Sequence, residues 1–237
     1  MADDSLEAIK AGICFGADAV EVDIRFNNKK DLILSHDEDP WGVYRTHPLL
    51  ADAFDLIVRN GKIAVNCDIK ELETIPAILK LAAEKQIVPE RLIFTGSVTP
   101  CAIKENPSIL TRSSVWINIE ELLRHFCRIG HEAVTPFKDL IMNHPDEDEL
   151  LVALAPHSAS LMEAVIDGCL RWGVKVLNMP YMETTAALIP WMRERGIGAS
   201  VWTVNEDETL KRLFNLGALN VTTRNTRLAV EIRKNFG

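Results

Sequence analysis

Four short stretches carry side chains that could do chemistry. Ala19-Val-Glu-Val-Asp-Ile-Arg25 reads as a β-strand. Side chains alternate along a strand, so Val20, Val22 and Ile24 suit a helix layer, while Ala19, Glu21 and Asp23 face the other way. Carboxylates on a β-branched strand are costly unless solvated, paired or bound to a cation. The i, i+2 spacing lets Glu21 and Asp23 reach one hard cation; a half-exposed edge strand with a polar face is the plainer alternative. Ala64-Val-Asn-Cys-Asp-Ile-Lys70 repeats the pattern. Asn66, Asp68 and Lys70 share a face, with Asp68 a candidate third acidic ligand and Lys70 a point charge suited to phosphate. An internal Asp–Lys pair would explain the same residues. His36, in Ser35-His36-Asp37 at the end of a short strand, is placed to act as a general acid or base, or is a surface turn residue. Trp202, in Ser200-Val-Trp-Thr-Val-Asn205, either walls a pocket or packs in the core.

Short strands alternating with helical patterns must position these residues. Ser5 can cap a helix through Leu6, Ile9 and Ile13, which Gly16 ends. A turn at 27–30 leads to a short strand at Leu32–Ser35. Further strands are expected at Ile63–Ile69, Leu92–Phe94, Val115–Ile119, Val174–Met179, Ala199–Asn205 and Leu219–Thr223. One helix runs through Ile75, Ile78, Leu79 and Ala82. Residues 120–172 are mostly helical in pattern, broken at Gly130, Pro136, Pro145 and Pro156, with Glu120 and Glu121 as helix-start acids. Asn205 and Glu208 form a near capping box for a helix that Gly217 ends. Alternating units imply a parallel sheet with helices outside. Seven main strands fall one short of a (β/α)₈ barrel and leave an open doubly wound sheet as an alternative. No G-x-G-x-x-G follows a strand, which argues against a dinucleotide site.

The chain has 237 residues and a net charge of −8, which disfavours a nucleic-acid partner that needs clustered basic residues. A single domain over 1–237 is expected, since α/β barrels of about 250 residues run as one unit. No apolar run approaches the ~18 residues of a membrane span. Five scattered cysteines without a C-x-x-C pair read as reduced, buried thiols, and with the acidic start Met1-Ala-Asp-Asp-Ser5 they favour a cytoplasmic setting. His47, His125, His131, His144 and His157 share no spacing and read as structural or exposed.

Gly16-Ala-Asp-Ala-Val-Glu-Val-Asp-Ile24 followed by Leu32-Ile-Leu-Ser-His-Asp37 resembles the glycerophosphodiester phosphodiesterases, whose pattern is G-A-D-x-I-E-x-D-V and then a strand ending in H-D. Asn66-Cys-Asp-Ile-Lys70 resembles that family's E-x-K strand, Trp202-Thr-Val-Asn205 its W-T-V-N, and Leu213–Thr223 its last helix, glycine and strand. The motifs run in order over nearly the whole chain. The resemblance implies a TIM barrel related to the phosphatidylinositol phospholipase C group. It implies hydrolysis of a small-molecule glycerophosphodiester to sn-glycerol 3-phosphate and an alcohol, with Mg²⁺ or Ca²⁺. It makes Glu21, Asp23 and Asp68 metal ligands, His36 catalytic, and Lys70 and Trp202 substrate-binding.

Several departures stand beside the match. The family opens on a strand ending in H-R-G, which supplies a second catalytic histidine; here Ala2-Asp-Asp-Ser5 aligns with the P-E-N-T that follows it. The missing strand is the eighth that the count lacks. A barrel without its first strand and with impaired catalysis is therefore expected, prone to self-association through its open edges. Asp68 replaces a glutamate, and Thr222-Thr-Arg-Asn225 replaces T-D-x-P. Only 31 residues separate His36 from Asp68, which removes most of the family's usual insertion. A non-catalytic or truncated relative that binds metal and phosphodiester, and a relative that forms cyclic phosphate or transfers the phosphoryl group, are the alternatives.

Overall fold

The computed structural model describes residues 4–38, 47–144, 150, 154 and 158–236. Ser5 caps α1 (Leu6–Phe15), its hydroxyl accepting from the Ala8 N–H at 3.1 Å, and Gly16 closes the helix at φ 84. That left-handed conformation costs glycine little because it has no Cβ. β1 (Ala19–Phe26) then turns back into the antiparallel β2 (Leu32–Leu34). The turn is held by Asn27 Oδ1, which accepts from the Lys29 and Asp31 amides at 2.9 and 2.8 Å.

The remaining strands are β3 (Ala64–Ile69), β4 (Leu92–Gly96), β5 (Ser114–Asn118), β6 (Val176–Pro180), β7 (Gly198–Trp202) and β8 (Asn220–Val221). They run parallel in the order β2-β1-β3-β4-β5-β6-β7-β8. The seven parallel strands are the seven expected, and β2 is the extra short strand of the hairpin. Helices α2 (Leu50–Arg59), α3 (Ile75–Glu84), α4 (Pro100–Glu105), α5 (Ile109–Arg112), α6 (Ile119–Ile129), α7 (Lys138–Asn143), α8 (Ser158–Arg171), α9 (Leu188–Glu194), α10 (Asp207–Leu216) and α11 (Thr226–Arg233) connect and flank them. The architecture is an α/β barrel of the TIM type.

The core lies between sheet and helices. Val22, Ile24, Val65, Cys67, Ile69 and Phe94 of the strands meet Phe54, Ile57, Ile78 and Leu79 of the helices, all buried. Each such side chain contributes about 1.5–3 kcal/mol on burial, which fixes which face of β1 and β3 turns inward. Their other faces, carrying Glu21, Asp23, Asn66, Asp68 and Lys70, line the interior cavity as the alternation predicts.

Among the described residues the sheet does not close: β1 and β8 share no ladder. The Asp18 and Ile24 carbonyls serve β3, accepting from the Ala64 and Lys70 amides. By parallel-ladder alternation the backbone groups of Ala19 and Glu21 face the gap. On its outer side α1 packs against α11, and Arg233 pairs with Asp18.

Two expectations are corrected. Asn205 is not the cap of α10: Glu206 takes that position, and Asn205 Oδ1 instead accepts from the Arg224 amide at 2.9 Å and the Thr223 hydroxyl at 3.3 Å. The donors of the β8–α11 loop outcompete those of the nearby helix. The thiols are not uniformly buried: all five are free, but Cys14 and Cys101 are exposed. Pro136 lies inside a 3₁₀ turn over Glu132–Phe137, where such geometry tolerates it; the breaks at Pro145 and Pro156, and His157, lie outside the described residues. No helix among the described residues is long and apolar enough to cross a membrane.

Candidate metal centre

Parallel pairing of β1 with β3 sets Glu21 beside Asn66 and Asp23 beside Asp68. One donor oxygen each from Glu21, Asp23 and Asp68 lies within 4.8 Å of the others. Lys70 Nζ bridges two of them, at 2.7 Å from Asp23 Oδ1 and 3.1 Å from Asp68 Oδ2. The remaining oxygens, Asp23 Oδ2 and Asp68 Oδ1, are buried without a hydrogen-bond partner. An unsatisfied buried acceptor costs about 1–3 kcal/mol. Three converging carboxylates with orphaned lone pairs fit a hard divalent cation, which takes oxygen donors of this kind.

The electrostatics show the strain of the cluster. Depth in the barrel, then the Asp23 and Asp68 carboxylates, push the Glu21 carboxyl up to about 8. Its side chain still meets the solvent of the cavity, which tempers desolvation and leaves carboxylate repulsion as the firmer cause. Burial also raises Asp68, with Asp23 adding and Lys70 opposing. Burial works to lower Lys70, but Asp68 and Asp23 outweigh it and hold the ammonium above its ordinary value. Asp4 is pushed up to about 6 by burial and then by Asp23, although its Oδ1 accepts from the Asp23 amide at 3.1 Å.

His36 lies at the rim of the same cavity, exposed, with Nδ1 at 2.9 Å from Asp37 Oδ1. Trp202 lines the cavity too, and its Nε1 is a buried donor with no partner. All six expected residues therefore line one cavity of about 1650 Å³, which continues into the gap between β1 and β8. Glu21, Asp23, Asp68 and Lys70 form the tight cluster; His36 and Trp202 stand around it.

Other residues on this cavity escaped the sequence reading. Asp4 reaches in from the start of α1. Asn178 donates to Asn118 at 2.9 Å, and Asn118 donates to Glu120 at 2.6 Å, making a buried row on β5, β6 and the first turn of α6. Thr95 donates to Asn66 at 3.0 Å. The signal was there: Asn118 has the parity of an inward residue, as Asn66 and Asp68 do. Glu120 is more than a helix-start acid. The remaining described histidines stay outside the cavity. Among them His125 packs edge-on against Trp172, and His131 caps the 3₁₀ turn through the Ala133 amide.

Fold and site together define an α/β barrel of TIM type with an acidic, cation-ready cluster at the C-terminal ends of its strands. Solved structures of the same fold include glycerophosphodiester phosphodiesterases. The enzyme from Thermotoga maritima matches with a TM-score of 0.64 and 20% identity over 98% of this chain and 93% of its own. A putative glycerophosphoryl diester phosphodiesterase from Agrobacterium tumefaciens gives 0.69 and 12% over 98% and 92%. An Oleispira antarctica phosphodiesterase in complex with its product sn-glycerol-3-phosphate gives 0.64 and 13% over 96% and 89%. No family model matches the chain, and no curated protein matches it.

Proposed function

We propose that this chain, as one domain over 1–237, hydrolyses glycerophosphodiesters to sn-glycerol 3-phosphate and an alcohol. The observation that carries the reading is the cluster of Glu21, Asp23 and Asp68 with its orphaned oxygens, bridged by Lys70 in the fold of solved phosphodiesterases. Glu21, Asp23 and Asp68 would hold Mg²⁺ or Ca²⁺, which would supply Lewis-acid positive charge to offset the negative charge that develops in phosphodiester cleavage. Lys70 adds a second positive charge beside the phosphate. With Nδ1 of His36 tied to Asp37, Nε2 is the nitrogen that gives or takes a proton at the substrate, a contribution of about 10²–10⁴-fold. The Trp202 indole N–H offers a donor to a substrate oxygen. A cytoplasmic setting and self-association through the open edges belong to the same reading.

One observation favours a second reading. His36 is the only imidazole among the described residues on this cavity, so the proton transfers of both halves of the reaction have one such group between them. A relative that binds cation and phosphodiester without turnover would look the same.

The deciding experiment is release of glycerol 3-phosphate from glycerophosphocholine and glycerophosphoethanolamine, with Mg²⁺, Ca²⁺ or EDTA. The expected result is metal-dependent release lost in Glu21→Gln and reduced about 100-fold or more in His36→Ala. No release, with metal still raising the melting temperature of the native chain but not of Glu21→Gln, would establish the binding relative. A cyclic phosphate in the phosphorus NMR spectrum would replace hydrolysis by cyclisation.

A further inference from the structure

Gly96 ends β4 beside β3, with Ile69 opposite it in register and Asp68 opposite Thr95. Its φ is +74. A Cβ on Gly96 would overlap Asp68 Oδ1 and stand 2.6 and 2.8 Å from the Ile69 carbonyl oxygen and amide nitrogen. Asp68 Oδ1 is buried and accepts no hydrogen bond, whereas Oδ2 is held by Lys70. No donor places Oδ1, so packing must. Aspartate has a single methylene with which to reach the shared centre, and the space its carboxylate turns into is the space a side chain at 96 would fill.

We propose that Gly96 is the positioning residue of Asp68. The bare Cα leaves room for Oδ1 and so keeps the short carboxylate within reach of Glu21 and Asp23. This rests on the metal reading above, deepens it, and concerns a pairing the sequence did not single out. Gly96 touches no reacting atom in this account; it acts through Asp68.

The test is Mn²⁺ affinity, read by paramagnetic titration, together with the melting temperature of the metal-free protein. The control is Gly130→Ala. Gly130 has nearly the same backbone conformation, φ +70, but nothing lies within 4 Å of its missing Cβ. Gly96→Ala is expected to weaken Mn²⁺ about 10-fold or more, the scale seen when support of a ligand is removed. Gly130→Ala and the native chain should agree within about twofold. In an Asp68→Ala background, Gly96→Ala should cost less than about twofold further, because the residue it acts through is gone. Native affinity in Gly96→Ala, or an equal loss with and without Asp68, would overturn the proposal.

Failure of the metal reading itself looks different. The native chain and Glu21→Gln would then both ignore Mn²⁺, and melting decides the contact. If Gly96 accommodates Asp68, the Asp68→Ala/Gly96→Ala double variant recovers melting temperature lost in Gly96→Ala. The same recovery is expected should Gly96→Ala fail to fold alone. A double variant no more stable than the single assigns Gly96 to the Ile69 backbone and overturns the proposal.

Discussion

At the scale of single residues, the candidate centre is defined by carboxylates that dislike one another. Asp4 is raised to about 6, Glu21 to about 8, and Asp68 is raised as well. A carboxyl raised in the folded state keeps its proton to higher pH than in the unfolded chain. Its favourable contribution is therefore fully present below the ordinary carboxylate range and is lost as pH climbs through 6 to 8. With solvent screening the loss is on the order of 1–2 kcal/mol. In EDTA the melting temperature should fall by roughly 2–8 °C between pH 5 and pH 8. Excess Mg²⁺ or Ca²⁺ should reverse that slope, since binding needs the deprotonated forms and stabilises by about 2.7 kcal/mol at 100 times Kd. A flat melting profile in EDTA would mean that the carboxylates do not repel as their spacing implies.

Residue-level legibility followed one rule. Glu21, Asp23, Asp68 and Lys70 were readable because two strands alternate cleanly and put charge on the face opposite their large apolar residues. Asn118 and Asn178 obey the same alternation, yet neutral amides on a strand announce nothing until their partners are seen. Gly96 was invisible because its role is an absence: only the neighbouring strand shows what a Cβ there would strike.

At the scale of elements, α1 matched its sequence signals at both ends. The Ser5 hydroxyl and the left-handed Gly16 are both used by the helix itself. The start of α10 failed for the opposite reason. Asn205 has two uses, as a cap or as a cross-link to the β8–α11 loop, and the tertiary use wins. The difference is measurable. A capping box would make Asn205→Ala and Glu208→Ala similarly costly. The structure makes Asn205→Ala cost about 1–2 kcal/mol through two lost hydrogen bonds. Glu208 is exposed and pairs with Lys211 on the surface of the helix at 3.0 Å, so Glu208→Ala should cost under ~0.5 kcal/mol. Urea midpoints of the two variants decide between them. Equal shifts would restore the capping box.

At the scale of the whole molecule, the strand count and the unclosed sheet are one fact seen twice. Seven parallel strands were legible because each is a short β-branched run bounded by turn residues. Where the sheet fails to meet itself was legible only as a number, and needed the topology to become a place. Unpaired strand edges invite partners, so concentration-dependent self-association is expected. Sedimentation velocity over a dilution series is the check, and a monomer at every concentration would count against it. In parallel, the amides of Ala19 and Glu21 should exchange with solvent well before those of Val65 and Cys67, which lie inside the sheet.

The open side also changes what kind of object the wall beside Glu21 is. A closed barrel has a bore set by its strand number and stagger. Among the described residues this sheet is a bent strip with two ends, β2 and β8. Ladders join β3 through to β7; at the seam between β1 and β8 the described residues share none, and α1, α11 and the Arg233–Asp18 pair clasp it from outside. A molecule seated on the acidic cluster then has two ways out, upward past His36 and sideways through the seam. In the proposed reaction, the girth of the group carried on a bound phosphodiester would then not be limited by the width of the mouth.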